Sequence, residues 1–206
     1  MKSMLKDTLI IFVITLIAGA VLGLVYDVTK EPIAHQQQLA KDAAYKEVFA
    51  DAEKFEEIAV KPDLAPEDLT AYVNGQGYDA SVDSVASAFD GSGNLAGYVI
   101  TVTTHEGYGG DIQFTLGVRN DGTLNGVSIL SIAETSGLGM KAGEVLVPQF
   151  AGKQVETFVT SKTGASSPEQ IDAISGATIT TNAFVNGVNA GLACFREYLA
   201  VEGGAQ

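Results

Sequence analysis

Nineteen consecutive residues, Thr8 to Tyr26, carry no charge and read TLIIFVITLIAGAVLGLVY. A helix of that length rises about 28 Å, close to the roughly 30 Å of a bilayer's hydrocarbon core. The segment predicts one transmembrane helix over 8–26, with residues 1–7 on one side of the membrane and the chain after residue 26 on the other. Lys2 and Lys6 precede it, so the positive-inside rule places the N-terminus in the cytoplasm of a cell membrane and the remainder outside. Ala18-Gly19-Ala20 offers the small residues of a signal-peptide cleavage site, but the apolar run continues through Val21 to Val25, further than a signal peptide needs. A retained anchor is the expectation. Thr15, Gly19 and Gly23 recur every four residues on one helix face. Such a small-residue stripe admits a second transmembrane helix, although glycine is also common in membrane helices generally.

Charge is divided across this segment. The 206 residues include 12 Lys+Arg and 25 Asp+Glu, a net charge of −13; residues 1–26 carry +1 and the rest −14. Affinity for nucleic acid comes from Lys and Arg neutralising phosphates, so this balance argues against nucleic acid as a partner. It also argues against an external part lying flat on anionic lipid. A single cysteine, Cys194, excludes an internal disulfide, a four-thiolate zinc site and an iron–sulfur cluster, leaving an organic cofactor or one lone metal site for any redox role. Cys194 itself, beside Phe195, reads as a buried structural thiol.

Pro32 is expected to end or kink the first helix, with a second, amphipathic helix from Ile33 to about Ala50. Residues 51–80 are acidic and contain Pro62 and Pro66, and they read as short helices and loops completing a helical connector over 27–80. From about Ser81 the period changes. SVDSVASAFD, NLAGYVITVTT, DIQFTLGVRN and LNGVSILSIAE are alternating or β-branched runs, separated by turn text at Asp90-Gly91-Ser92-Gly93, Glu106 to Gly110 and Asn120-Asp121-Gly122. They predict four antiparallel strands joined by hairpins. Phe184, Val188, Leu192, Phe195 and Leu199 fall at helical spacing and predict a closing helix. The class expected is α+β, an antiparallel sheet with flanking helices over 81–206.

Catalytic text is sparse. The two histidines are His35 and His105, and His105 with Glu106 reads as a solvent-facing turn. H-E-x-x-H, G-x-S-x-G and P-loop patterns are absent. Gly137-Leu138-Gly139-Met140-Lys141-Ala142 fits a loose dinucleotide pattern, yet so does Gly91 to Ala96 in a hairpin turn, and Gly143 and Pro148 interrupt the helix that a true fingerprint requires. One segment stands above this background: Asp172-Ala173-Ile174-Ser175-Gly176-Ala177-Thr178-Ile179-Thr180-Thr181-Asn182, directly before the closing helix. Small residues, hydroxyls and free N–H groups at a helix N-terminus suit a phosphate. The same text suits a plain loop with Thr180, Thr181 or Asn182 as N-cap.

Asp172-x-x-Ser175-Gly176-Ala177-Thr178 resembles the flavinylation motif D-x-x-S-G-A-T of the FMN-binding domain family. Glu134-Thr135-Ser136-Gly137-Leu138-Gly139 is similar to that family's E-T-P-G-L-G loop, with Ser136 where proline is common. Gln149-Phe150-x-Gly152-Lys153 is similar to its F-x-G-K text, and the Tyr108-Gly109-Gly110 turn to its hairpin stretch. The resemblance implies that a flavin transferase moves the FMN moiety of FAD onto Thr178 as a phosphodiester. It implies that Ser175, Gly176 and Ala177 surround the attachment and that Asp172 is part of what the transferase reads. Glu134, Thr135, Gly137, Leu138 and Gly139 then wall the flavin, Thr135 and the glycine backbones by hydrogen bonds and Leu138 by packing on the ring. No metal ligand and no independent active site are implied.

Within that family, length and layout are most similar to the RnfG proteins of Rnf-type ion-translocating ferredoxin:NAD oxidoreductases. This implies an electron-transfer role beside other membrane subunits, in a complex coupling ferredoxin oxidation and NAD reduction to Na+ or H+ export. The NqrC proteins of the sodium-pumping NADH:quinone reductase are the second resemblance. A non-redox external module that holds an anionic ligand at the Thr178 loop is the alternative from the residues alone.

Overall fold

The computed structural model describes residues 2–58 and 65–200. The stretch around Pro62 and Asp63, expected as loop, and the end of the 81–206 region lie outside the described residues. Residues 1–42 and 43–206 form two compact units.

The first helix, α1, runs unbroken over Lys2–Val48 with Pro32 inside it. The expected break at Pro32 is therefore corrected. A proline removes one intrahelical hydrogen bond and crowds the preceding turn. Here the good helix formers that follow it, AHQQQLAKDAAYKEV, sustain the helix across that loss. The apolar side chains from Leu9 to Val25 are exposed, and the helix is long and apolar enough to cross a membrane.

The second unit is built on a five-stranded antiparallel meander in sequential order: β1 Ala52–Glu57, β2 Ala80–Asp90, β3 Leu95–Thr104, β4 Ile112–Arg119 and β5 Leu124–Ile132. Strands β2 to β5 lie where the alternating runs place them. Strand β1 does not, because 51–80 reads as helix and loop. Its text, AEKFEE, has little β propensity, but it pairs only with β2 at the sheet edge, where Glu53, Lys54, Glu56 and Glu57 face solvent. Charged side chains suit an edge and guard it against pairing with other chains. Helix α2, Pro66–Gly75, starts with proline at its first position, and the Asp68 carboxylate accepts the Ala65 N–H at 2.9 Å.

The sheet carries side chains on both faces. From β3, Ile100 and Val102 join the main core, while Val99 packs into a separate cluster with Tyr45, Val48 and Phe49 at the end of α1. The main core is closed by α4, Thr178–Cys194, preceded in the chain by the one-turn α3, Ala142–Val145, and by a parallel pair, β6 Val159–Ser161 and β7 Gln170–Asp172. The predicted stripe Phe184, Val188, Leu192, Phe195 and Leu199 is buried as expected. A Cβ on Gly187 would stand 2.8 Å from Phe114 Cζ, so only glycine lets α4 lie this close to β4.

Two buried polar groups of α4 give tests. Asn189 reaches across to Phe158, its side-chain oxygen accepting the Phe158 N–H at 2.8 Å and its amide donating to the Phe158 carbonyl at 2.9 Å. Asn189→Leu keeps the volume but strands both backbone groups, at about 1–3 kcal/mol for a buried group left unpaired. Thermal unfolding in detergent should show that loss. Burial pushes the Cys194 thiol up to about 12. The thiolate is the reactive form, so native protein at pH 8 should resist a disulfide reagent until denaturant exposes Cys194.

Candidate functional site

A cleft of about 490 Å³ opens where three segments meet. The β3–β4 turn contributes Tyr108; the segment after β5 contributes Glu134, Thr135, Leu138 and Gly139; the start of α4 contributes Gly176 to Thr180. Its volume falls within the range typical of small-molecule sites.

The segment after β5 is folded back by its own backbone, with the Leu138 and Met140 N–H groups both reaching the Thr135 carbonyl, at 3.1 and 3.3 Å. Glu134 ties it to the opposite lip: one carboxylate oxygen, Oε1, accepts the Tyr108 N–H at 2.8 Å. The other, Oε2, is buried without a partner. Gly139 fills the angle between the segment after β5 and the start of α4. A Cβ there would lie 2.8 Å from both Glu134 Cβ and Thr180 Oγ1, so no larger residue fits without moving one of them.

The third segment is set by a tight turn, the Ala177 N–H meeting the Ile174 carbonyl at 3.0 Å while Gly176 takes φ +79°. Helix α4 then starts at Thr178 with Ala177 at the N-cap. Thr180, Thr181 or Asn182 as N-cap is thus corrected: Thr180 and Thr181 are buried within the first turns. The hydroxyl that steadies this end of the helix acts from inside it. Thr181 Oγ1 accepts the Ile174 N–H at 3.1 Å and donates to the Ala177 carbonyl at 2.9 Å. Thr178 is half-buried on the cleft, at the helix end where backbone N–H groups lack intrahelical acceptors.

The Gln149-Phe150-x-Gly152-Lys153 text supports this loop from behind. Gln149 accepts the Asp172 N–H at 2.7 Å and donates to the Asp172 carbonyl at 3.2 Å, Lys153 donates to the Gln170 carbonyl at 3.2 Å, and Phe150 is in the core. The Asp172 carboxylate accepts the Ala165 N–H, closing the loop between β6 and β7.

Of the residues singled out in the sequence, Glu134, Thr135, Leu138, Gly139, Gly176, Ala177 and Thr178 line the cleft. Ser175, Asp172 and Gly137 are exposed outside its lining. Tyr108, Ile179 and Thr180 line it although the motifs do not mark them as site residues. Ile179 and Thr180 follow Thr178 in the first turn of α4, whose N-terminal end forms that wall of the cleft, and Tyr108 is brought there by its N–H on the Glu134 carboxylate. His105 stands on the exposed turn, 3.0 Å from the Asp111 carboxylate.

Among the described lining residues the one ionisable acid is Glu134, and none is Lys or Arg. An anionic group here must be met by α4's N-terminal N–H groups. The residues fit FMN on three counts. Glu134 Oε2 is a buried acceptor in want of a donor, Tyr108, Leu138 and Ile179 offer exposed apolar surface for an aromatic ring, and Thr178 presents a hydroxyl at a phosphate-favouring helix end.

The FMN-binding domain model matches residues 107–193, and the RnfG N-terminal region model matches residues 1–48. The G component of the Na+-translocating ferredoxin:NAD+ oxidoreductase complex of Acetobacterium woodii is 32% identical over 192 residues, covering 91% of this chain and 89% of that protein. The G component of the ion-translocating oxidoreductase complex of Methanosarcina acetivorans is 30% identical, with 91% and 92% covered. In fold, the chain is similar to NqrC of Shewanella oneidensis, with a TM-score of 0.53 at 20% identity over 79% of this chain and 88% of that one.

Proposed function

Because this chain belongs to the RnfG family of ion-translocating oxidoreductase complexes, we propose that it serves such a complex as an electron-transfer subunit that holds FMN covalently on Thr178. The observation that carries this reading is the convergence of the Glu134–Gly139 and Gly176–Thr178 segments on one cleft at the α4 N-terminus. Bound there, FMN supplies the electron-accepting and electron-donating chemistry that no side chain of this protein has.

The chain's own residues position it. In attachment by a flavin transferase, Thr178 Oγ would bond to the FMN-side phosphorus of FAD as the pyrophosphate bond breaks, with AMP as leaving group and the hydroxyl proton lost. The resulting phosphodiester keeps about one negative charge, which the free N–H groups of the first α4 turn offset. Glu134 Oε2 would accept a donor from the ring system, and Tyr108, Leu138 and Ile179 would offer it apolar surface. A covalent link also retains the flavin outside the cell, where a released cofactor would be diluted.

In the same proposal residues 8–26 span the membrane, residues 1–7 are cytoplasmic, residues 27–80 lead from the span into the sheet that β1 edges, and the FMN-binding region over 81–206 is extracytoplasmic. The other membrane subunits are the partners, and the complex couples ferredoxin oxidation and NAD reduction to Na+ or H+ export. Co-expression with a flavin transferase tests the core of it. The expected result is a band at the chain's mass that fluoresces under ultraviolet light on a denaturing gel, present only with the transferase. A dark band in its presence overturns the reading.

A further inference from the structure

The Thr181 hydroxyl is wholly buried and makes two hydrogen bonds that differ in kind. Donation to the Ala177 carbonyl, at 2.9 Å, is the ordinary back-bond of a threonine to the residue four before it. Acceptance from the Ile174 N–H, at 3.1 Å, is not, since Ile174 precedes the helix. Together they tie both ends of the Ile174–Ala177 turn to a fixed point inside α4. The turn's own bond, Ala177 N–H to the Ile174 carbonyl, and the left-handed Gly176 complete its shape. Thr178 follows directly on this tie, and its Cα position is set by where Ala177 ends.

We propose that Thr181 is a positioning residue for flavin attachment, holding Thr178 Oγ where the transferase needs it; the inference rests on the covalent reading above. Group transfer is sensitive to placement. In the step Thr178 Oγ must approach the FMN-side phosphorus of FAD opposite the departing AMP oxygen, and its proton passes to a base of the transferase or to water. Losing the Ile174 anchor frees the three residues before Thr178 to shift, and a displacement near 1 Å is enough to cost about a hundredfold in rate.

The test uses the full chain in detergent with purified flavin transferase and FAD, following covalent FMN by gel fluorescence against time. Thr181→Ser, which keeps the hydroxyl, should label within about twofold of wild type, and Thr181→Val, nearly the same shape without it, at least about tenfold more slowly. The loss should fall in the kcat of the transferase for this protein substrate and leave its KM unchanged. A destabilised but correctly shaped loop would not split the constants that way. A control in the core away from the cleft, Val85→Ala, should melt earlier and label normally. If Thr181→Val does not fold, Thr181→Cys takes its place: a weak donor and acceptor, it should label more slowly than Thr181→Ser. Equal rates for the hydroxyl and non-hydroxyl variants, or slowing matched by Val85→Ala, overturn the inference while leaving covalent FMN standing. A wild-type chain that takes no label overturns the covalent reading and this inference with it.

Discussion

Thr178→Ala is expected to give a folded chain that carries no covalent flavin at all. The two halves of that expectation have separate causes. Thr178 is half-buried at the first position of α4, and the N-cap is the backbone of Ala177 rather than a side chain. Alanine suits the first turn of a helix, so the change should cost no more than about 0.5 kcal/mol, as for an ordinary surface substitution. The hydroxyl, by contrast, is the only atom of that side chain able to bond to phosphorus. Its loss removes the attachment entirely. On a denaturing gel the wild type should fluoresce and Thr178→Ala should be dark, with unfolding midpoints of the two flavin-free chains nearly equal. Thr178→Ser restores the hydroxyl and should restore part of the signal. Fluorescence surviving in Thr178→Ala would move the flavin to another residue.

Phe184→Ala should produce the largest loss of stability of any single change on α4. Phe184 is fully buried and stacks on Phe114 of β4 with centroids 4.7 Å apart, and it also meets Phe150 at 5.8 Å. Phe150 in turn meets Phe158 edge-on at 4.9 Å. The four rings join sheet, helix and the 150–158 segment, so truncating the central one opens a cavity that none of the others can fill alone. Such truncations cost about 3–5 kcal/mol, a large part of the roughly 5–15 kcal/mol that holds a domain folded. For a unit of this size the unfolding midpoint should fall by roughly 10 °C, read by thermal scanning in detergent. A fall of about 2 °C or less would mean that the core relaxes around the gap.

What can be read from the residues depends on whether the signal is local. Strands β2 to β5 alternate and are punctuated by Asp-Gly and Asn-Asp-Gly turns, so period and turn chemistry agree. Strand β1 has no such signal. Its pairing with β2 is a tertiary fact that overrides poor propensity, and its charges suit only the edge it occupies. Pro32 shows the opposite override, a strong local breaker carried by a long helix. At the site, both motif segments stand out as text. That Tyr108 faces them comes from contacts across some 26 residues, the Glu134 carboxylate on its N–H and the close approach of Gly109 to Ala133, where a Cβ would stand 2.1 Å from the carbonyl oxygen. The start of α4 escapes the capping rule because that rule looks for a hydroxyl before the helix, whereas here it lies within, on Thr181.

The most direct test of covalent attachment is the mass of one peptide. The chain, purified from cells that make a flavin transferase, is digested under denaturing conditions and the peptide containing Thr178 is fragmented. This peptide is expected to carry the mass of FMN less one water, with the addition on Thr178. An unmodified peptide from a fully expressed, folded chain, or an addition located on Ser175, Thr180 or Thr181, would contradict it.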